Sequence, residues 1–340
     1  MENNNKINTL PILFELDGNP DIKDGKVFDV KTLDAFSFVL NTFAMGDVIA
    51  AVPVVKYMIE KFYANPNTYR VVAKQSFRDL FHFVPSANFL DYDKKENLWG
   101  IPQGFAIGTL NRKNEPRLTR ITPKSLHLSD YASLSFCDRL ISRENLNYVS
   151  LIPTDISKFG VFFKRAVILV STYRDQTRSW RNESILETAE WIKQQGYTPV
   201  FVGKTNDEQH LSEAHRPKSM LPDDLSDYGV DLRNKTNLRE LFTIFSESAA
   251  VLGVDSGPIH LAGTTSVPII CGYTSVAAEH RIPIRKHGVT YPIQVDIPCI
   301  NCESRWRTNY WNFENCFTKT EDCSKLLTAD RFIDILKHII

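Results

Sequence analysis

Between residues 166 and 271 short apolar, β-branched runs alternate with amphipathic segments, and this alternation leaves few folds open. Strand-like runs fall at 166–171, 198–202, 228–232, 250–254 and 267–271. Between them the helical period appears at about 183–195, from near 206, at 237–248 and from 256. Strands that alternate with helices at this spacing predict an α/β chain with a parallel sheet covered on both faces. Asn182 is placed to cap the helix at 183–195 and Gly196 to stop it.

The first half is less regular. A buried strand is expected from 37, a turn at 44–46, and a helix from 47 to about 63 that Pro53 should kink or leave with an unpaired carbonyl. A strand at 69–73, a short helix at 76–84 and a strand at 88–91 follow. Beyond these, Gly104, Gly108, Pro116 and Pro123 indicate loops up to about 148. A Pro- and Ser-containing stretch at 151–160 lacks periodicity and marks a domain boundary. The expected layout is an N-terminal extension (1–36), a Rossmann-like domain (37–158), a second Rossmann-like domain (159–325) and a C-terminal helix (326–340).

The 340 residues suit two domains at about 150 residues each. Forty Lys and Arg balance forty Asp and Glu, so no overall field draws in nucleic acid or an anionic membrane, and a polyanionic partner must be held by a local patch. The first ten residues are polar and Asn-rich, and no apolar run approaches the roughly 18 residues of a membrane helix. The expectation is a soluble, cytoplasmic protein without a transmembrane segment.

Three stretches carry chemistry. In Val254-Asp255-Ser256-Gly257-Pro258-Ile259-His260-Leu261-Ala262 a polar turn joins a buried strand to a helix. Ser256 can cap, Gly257 lets a ligand approach the backbone, and Pro258 is preset for the first turn. The N–H groups there suit a phosphate, although a plain helix start with a core histidine explains the pattern equally well. In the second stretch, 171–180, Thr172, Arg174 and Arg178 follow a buried strand, and guanidinium forks suit phosphate oxygens; the alternative is a solvated loop anchored by Trp180. In the third, 45–53, Asp47 lies in the first turn of a helix. A cap favoured by the helix dipole is the default there, and a general base facing an interdomain cleft is the functional alternative.

Together these stretches resemble glycosyltransferase family 9, the heptosyltransferase family. The resemblance rests on Gly46, Asp47, Val48 and Pro53; on Arg178 with Trp180 two places on; and on Asp255, Ser256, Gly257, His260 and Leu261. It covers about 38–63 and 167–273. It implies a GT-B fold, two Rossmann-like domains facing across a cleft, with the donor, a nucleotide diphosphate sugar, on the C-terminal domain and the acceptor on the N-terminal one. It further implies inverting transfer without a catalytic metal. Asp47 would deprotonate the acceptor hydroxyl, while Thr172, Arg178 and the Ser256 and Gly257 backbone stabilise the departing diphosphate, with Asp255 and His260 completing the donor site. ADP-heptose is the family's default donor. Where the family usually has Lys before Trp, this chain has Arg178 and an inserted Ser179.

The acceptor is less determined. Arg112, Lys113, Arg117, Arg120 and Lys124 stand against the single acid Glu115, so this loop is locally basic, either as a solvated face or as the seat of an anionic acceptor. Lipopolysaccharide core fits the family; modified, hydroxymethylated DNA bases fit the same charge and would require base flipping or a single strand. A non-catalytic nucleotide- or sugar-binding module of the same fold is a further alternative.

Cys299, Cys302, Cys316 and Cys323 crowd into 25 residues. Four thiolates at such spacing suit structural zinc or iron; disulfides and free thiols are the alternatives. The cluster resembles the four-Cys finger of the autotransporter heptosyltransferases. Between its halves Arg305, Trp306, Arg307, Tyr310 and Trp311 form an aromatic, cationic tip, available to the acceptor or to a neighbouring copy in a homo-oligomer. Alternatively its tryptophans simply pack the finger. Cys137 and Cys271 read as buried packing residues.

Overall fold

The computed structural model describes residues 36–40, 44–63, 65–92, 105–106, 127–137, 140–171, 176–204, 221–302, 316 and 318–340. The basic run at 112–124, Thr172, Arg174, the helix expected near 206 and the tip at 305–311 lie outside them. The chain divides into two units, Met1–Phe43 with Ala51–Leu146, and Ala44–Ala50 with Asn147–Ile340.

In the first unit β1 (Phe36–Val39), β2 (Tyr69–Ala73), β3 (Phe89–Asp91) and β4 (Phe105–Ala106) form a parallel sheet in the order β3-β2-β1-β4. Helix α1 (Met45–Phe62) follows β1, with Pro53 inside it, and α2 (Leu128–Cys137) comes later. The short helix expected at 76–84 is a 3-10 helix, Gln75–Phe81. Phe38 of β1 packs edge-on against Tyr63 and Phe136, so the first strand is held between residues from both helical stretches.

The second unit is the fuller one. It contains β5 (Ala166–Val170), α3 (Asn182–Gln194), β6 (Thr198–Val202), β7 (Val230–Asp231), α4 (Leu238–Glu247), β8 (Ala250–Val254), α5 (Gly257–Ala262), β9 (Ile269–Gly272), β10 (Thr290–Ile293), α6 (Asp322–Lys325) and α7 (Ala329–Leu336). All six strands are parallel in the order β10-β9-β8-β5-β6-β7. Counted within the unit this is 3-2-1-4-5-6 read from the other edge, the order of dinucleotide-binding sheets. Every residue of β5 and β8 is buried, as expected of strands covered on both faces.

Local chemistry sets the helix ends. Asn237 and Glu240 form a reciprocal capping box, each side chain bonding the other's backbone N–H at 2.9 Å, so Asn237 caps α4 rather than opening it. Gly196, at φ 75°, ends the α3 region in the left-handed conformation that glycine tolerates. The residue at the N-cap position of α3 is Arg181, not Asn182; Asn182 is the first helical residue, and Arg181 makes no cap bond because a guanidinium has no acceptor to offer the helix N–H groups; it pairs with Glu321 instead. Trp180 is buried and stacks on Phe332 of α7 at 3.9 Å between ring centroids, which joins α7 to the core of β5, β8 and α3.

Candidate active site

In an open parallel sheet the carboxyl ends of the two strands at which the order reverses diverge, and ligands settle there. Here those strands are β5 and β8. The segment after β5 carries Arg178 at the end of a 3-10 turn, Gln176–Arg178, and the turn after β8 carries Asp255. They are 77 residues apart in sequence, and the Arg178 guanidinium donates directly to Asp255 Oδ2. His260 Nε2 stands 3.4 Å from Asp255 Oδ1, and Arg281 Nε 3.9 Å from Oδ2.

Asp255 is thus buried but surrounded by cations. Burial alone would raise its pKa; the Arg178 charge, the His260 hydrogen bond and the Arg281 charge more than reverse this and hold the carboxyl well below the usual carboxylate range. Burial, then the Asp255 charge, pushes the Cys271 thiol well up, and burial, then Cys271 and Asp255, does the same to the Tyr273 phenol. Both stay neutral at ordinary pH. The cluster of Arg178, Arg281 and Asp255 sets two guanidiniums against one carboxylate, a local positive excess in a protein whose charges balance overall.

His260 is held on both ring nitrogens. Because an ionised carboxylate only accepts, Nε2 carries a proton; in the neutral ring Nδ1 is then an acceptor, to which the Tyr148 hydroxyl, 3.2 Å away, donates. Tyr148 itself is anchored through its N–H to Ile284 O at 2.9 Å. The order Tyr148, His260, Asp255, Arg178 is a continuous hydrogen-bonded file with one consistent direction for each proton.

The Ala44–Ala50 segment belongs to this same unit. A Cβ built on Gly46 would lie 2.7 Å from His260 Cδ2, and one on Gly257 would lie 2.8 Å from Met45 Cε. Both glycines are needed for the two turns to meet at these distances. Asp47, next to Gly46, is half-buried in the first turn of α1.

Two details differ from expectation. Ser256 occupies the N-cap position of α5 but its side chain makes no cap bond, and its buried Oγ has no hydrogen-bond partner among the described residues. The helix it precedes has six residues, so individual backbone N–H groups, rather than a summed helix dipole, are what this turn offers an anion. Tyr148, Arg281 and Ser324 were carried by no motif; Tyr148 and Arg281 complete the Asp255 file, and only tertiary contacts reveal them.

Cys299, Cys302, Cys316 and Cys323 are all thiols. Burial pushes the Cys323 thiol up to about 12, and Cys302, Cys316 and Cys299 add to the rise, so the four sulfurs lie close enough to feel one another. Cys316 Sγ accepts the Glu321 N–H at 3.3 Å, the kind of bond that steadies a thiolate. Among the described residues no group of three or more His, Cys, Asp or Glu is arranged to hold a metal ion. The donor chemistry fits a soft or borderline ion, whereas the side-chain arrangement is not that of a closed site. No helix among the described residues is long and apolar enough to cross a membrane.

Residues 151–306, just under half of the chain, match the family model of Glycosyltransferase family 9 (heptosyltransferase). The chain is 29% identical over 107 residues to Lipooligosaccharide heptosyltransferase 2 of Haemophilus influenzae, a match covering 32% of this chain and 30% of that protein. It is 23% identical over 275 residues to the Lipopolysaccharide core heptosyltransferase OpsX of the same organism, covering 68% of this chain and 77% of that one. Among solved structures, the iron-containing dodecameric glycosyltransferase TibC from enterotoxigenic E. coli H10407 superposes with a TM-score of 0.65 at 14% identity, over 90% of this chain and 76% of that one. TibC has also been solved in complex with ADP-D-beta-D-heptose. The architecture is the α/β GT-B fold of the heptosyltransferases. The match of residues 151–306 to this family model and the similarity to these heptosyltransferases support glycosyltransferase activity.

Proposed function

We propose that this protein is an inverting glycosyltransferase that moves a sugar from a nucleotide diphosphate sugar, ADP-heptose by analogy with its relatives, to a hydroxyl of lipopolysaccharide core. The observation that carries the reading is the positive excess of Arg178 and Arg281 around Asp255 at the sheet's switch point. A diphosphate seated there is met by fixed guanidiniums and by the Ser256 and Gly257 backbone N–H groups, which cost no reorganisation as the leaving group gains charge. The buried Ser256 Oγ supplies one further polar group beside that turn.

In this reading Asp47 takes the proton of the acceptor hydroxyl, whose oxygen attacks the anomeric carbon from the face opposite the diphosphate. The new glycosidic bond forms as the bond to the diphosphate breaks, and the configuration inverts. Charge neutralisation by Arg178 and Arg281 fills the role that a divalent ion plays elsewhere. Asp255 and His260 act behind this front: Asp255 fixes the Arg178 fork, and His260 fixes Asp255 while supporting the Gly46 backbone beside Asp47.

Cys299, Cys302, Cys316 and Cys323 are the residues that would hold a structural zinc or iron ion, consistent with the thiol set and the Cys316 to Glu321 bond. When bound, the ion would cross-link the segments at 299–302 and 316–323. The test of the whole reading is incubation with a panel of nucleotide sugars and lipopolysaccharide core, followed by mass spectrometry. A product heavier by one sugar supports it, and intact substrates across the panel overturn it.

A further inference from the structure

Ser179, next to Arg178, and the cysteine-bearing segment, two features outside the transfer chemistry, meet in the structure. Ser324, fully buried beside Cys323, donates from Oγ to Ser179 O at 2.8 Å and lies 2.9 Å from Ser179 Oγ. A hydroxyl has one proton, so with Ser324 donating to the carbonyl, Ser179 Oγ must donate to Ser324 Oγ, and the two serines close a reciprocal pair. Two residues on, Arg181 pairs with Glu321 Oε2 at 3.2 Å, and Glu321 in turn donates its N–H to Cys316 Sγ. On the other side of Arg178, Thr274 Oγ1 holds Thr177 O at 2.6 Å. Arg178 thus stands in a stretch held at the Thr177 carbonyl, at Ser179 and through the Arg181 side chain, and two of those three contacts come from the segment between Cys316 and Ser324.

We infer that Glu321 and Ser324 are positioning residues that brace the Thr177–Arg181 backbone, so that the cysteine-bearing segment sets where Arg178 meets the donor diphosphate. This rests on the proposed donor role of Arg178. The pair of part-buried hydrogen bonds at Ser324 restrains residues that follow the 3-10 turn Gln176–Arg178, and the Arg181 pair adds a second point of attachment. Ser179 supplies both the carbonyl and the hydroxyl that Ser324 engages.

The test combines hydrogen exchange with calorimetry on the full chain, using ADP as the probe. Ser324→Ala should raise the exchange of amides 177–181 by about tenfold, the loss of roughly one net hydrogen-bond's worth of restraint, while Ala166–Val170 remain protected. ADP affinity should fall by about five- to tenfold in Ser324→Ala, and should fall no further when Ser324→Ala is added to Arg178→Ala, because the brace acts through that guanidinium. Glu321→Gln, which leaves the serine pair intact, should show the same exchange pattern in weaker form. Unchanged exchange at 177–181 in both variants overturns the brace, as does a loss of ADP affinity of equal size with and without Arg178. A wild-type protein that takes up no nucleotide diphosphate refutes the donor role instead, and the exchange measurement still decides the brace.

Discussion

The imidazole of His260 lies directly against the backbone of Gly46, so that a single methyl group added at Gly46 would stand 2.7 Å from His260 Cδ2. Gly46→Ala must therefore displace either the ring or the turn that presents Asp47. Overpacking of this kind costs about 1–3 kcal/mol. We expect sugar transfer to fall more than stability does, since the shifted ring also disturbs Asp255. Equal activity of Gly46→Ala and wild type in a transfer assay would show that the contact has no part in the chemistry.

Asp47→Asn keeps the size and the hydrogen-bonding capacity of the side chain but removes its basicity. Loss of a general base lowers turnover by about 10²–10⁴-fold. Donor affinity, measured by calorimetry with ADP, should stay within about threefold of wild type, because the site around Arg178 is untouched. Turnover at the wild-type rate would remove Asp47 from the mechanism.

Asp255 links stability to pH. Its native pKa lies below that of the unfolded chain, so the folded state binds fewer protons, and the contribution is fully present above the unfolded value near 3.9 and declines as pH falls through the native one. Asp255→Asn leaves the Arg178 charge buried without its carboxylate, at a cost of about 3–5 kcal/mol. Denaturant unfolding should show a difference between the two proteins that is constant from pH 5 to 8 and shrinks below about pH 4. A difference that grows on acidification would contradict the assigned charge state.

Tyr148→Phe deletes only the hydroxyl that donates to His260 Nδ1. The orphaned Nδ1 should lower stability by about 1–3 kcal/mol. Nitrogen NMR of the ring should show the proton on Nε2 in both proteins, because Asp255 still accepts there, with the Nδ1 resonance shifted in the variant by loss of its hydrogen bond. If wild type already carries the proton on Nδ1, the direction assigned to the hydrogen-bonded file is reversed.

Protein purified without chelator should contain about one zinc or iron ion per chain, and Cys323→Ser should reduce that content. Elemental analysis that finds neither metal in wild type removes the metal proposal and leaves four thiols.

Much of this arrangement can be read from the sequence, and the exceptions have physical causes. The uninterrupted apolar run at 250–254 announces β8, whereas β10 carries Pro292 and sits at the sheet edge, where a missing N–H is tolerated and strand composition relaxes. The turn motif around Asp255 and Gly257 is visible because it is local. The partners of Asp255 are not: Arg178 arrives through strand order, Arg281 through the segment after β9, and Tyr148, by way of His260, from ahead of β5. Asn182 reads as a helix cap by residue type, yet Arg181 takes that position, and its side chain reaches Glu321 140 residues away rather than the helix N–H groups. Ser179 reads as an irregularity until Ser324 is seen beside it.

The stacking of Trp180 on Phe332 has a consequence for biosynthesis. The indole two residues beyond Arg178 finds its aromatic partner about 150 residues downstream, so during translation this stack forms only once α7 has cleared the ribosomal tunnel. Nascent chains stalled before Ala329 should therefore lack the packing of Trp180 even where the strands of this unit have already paired.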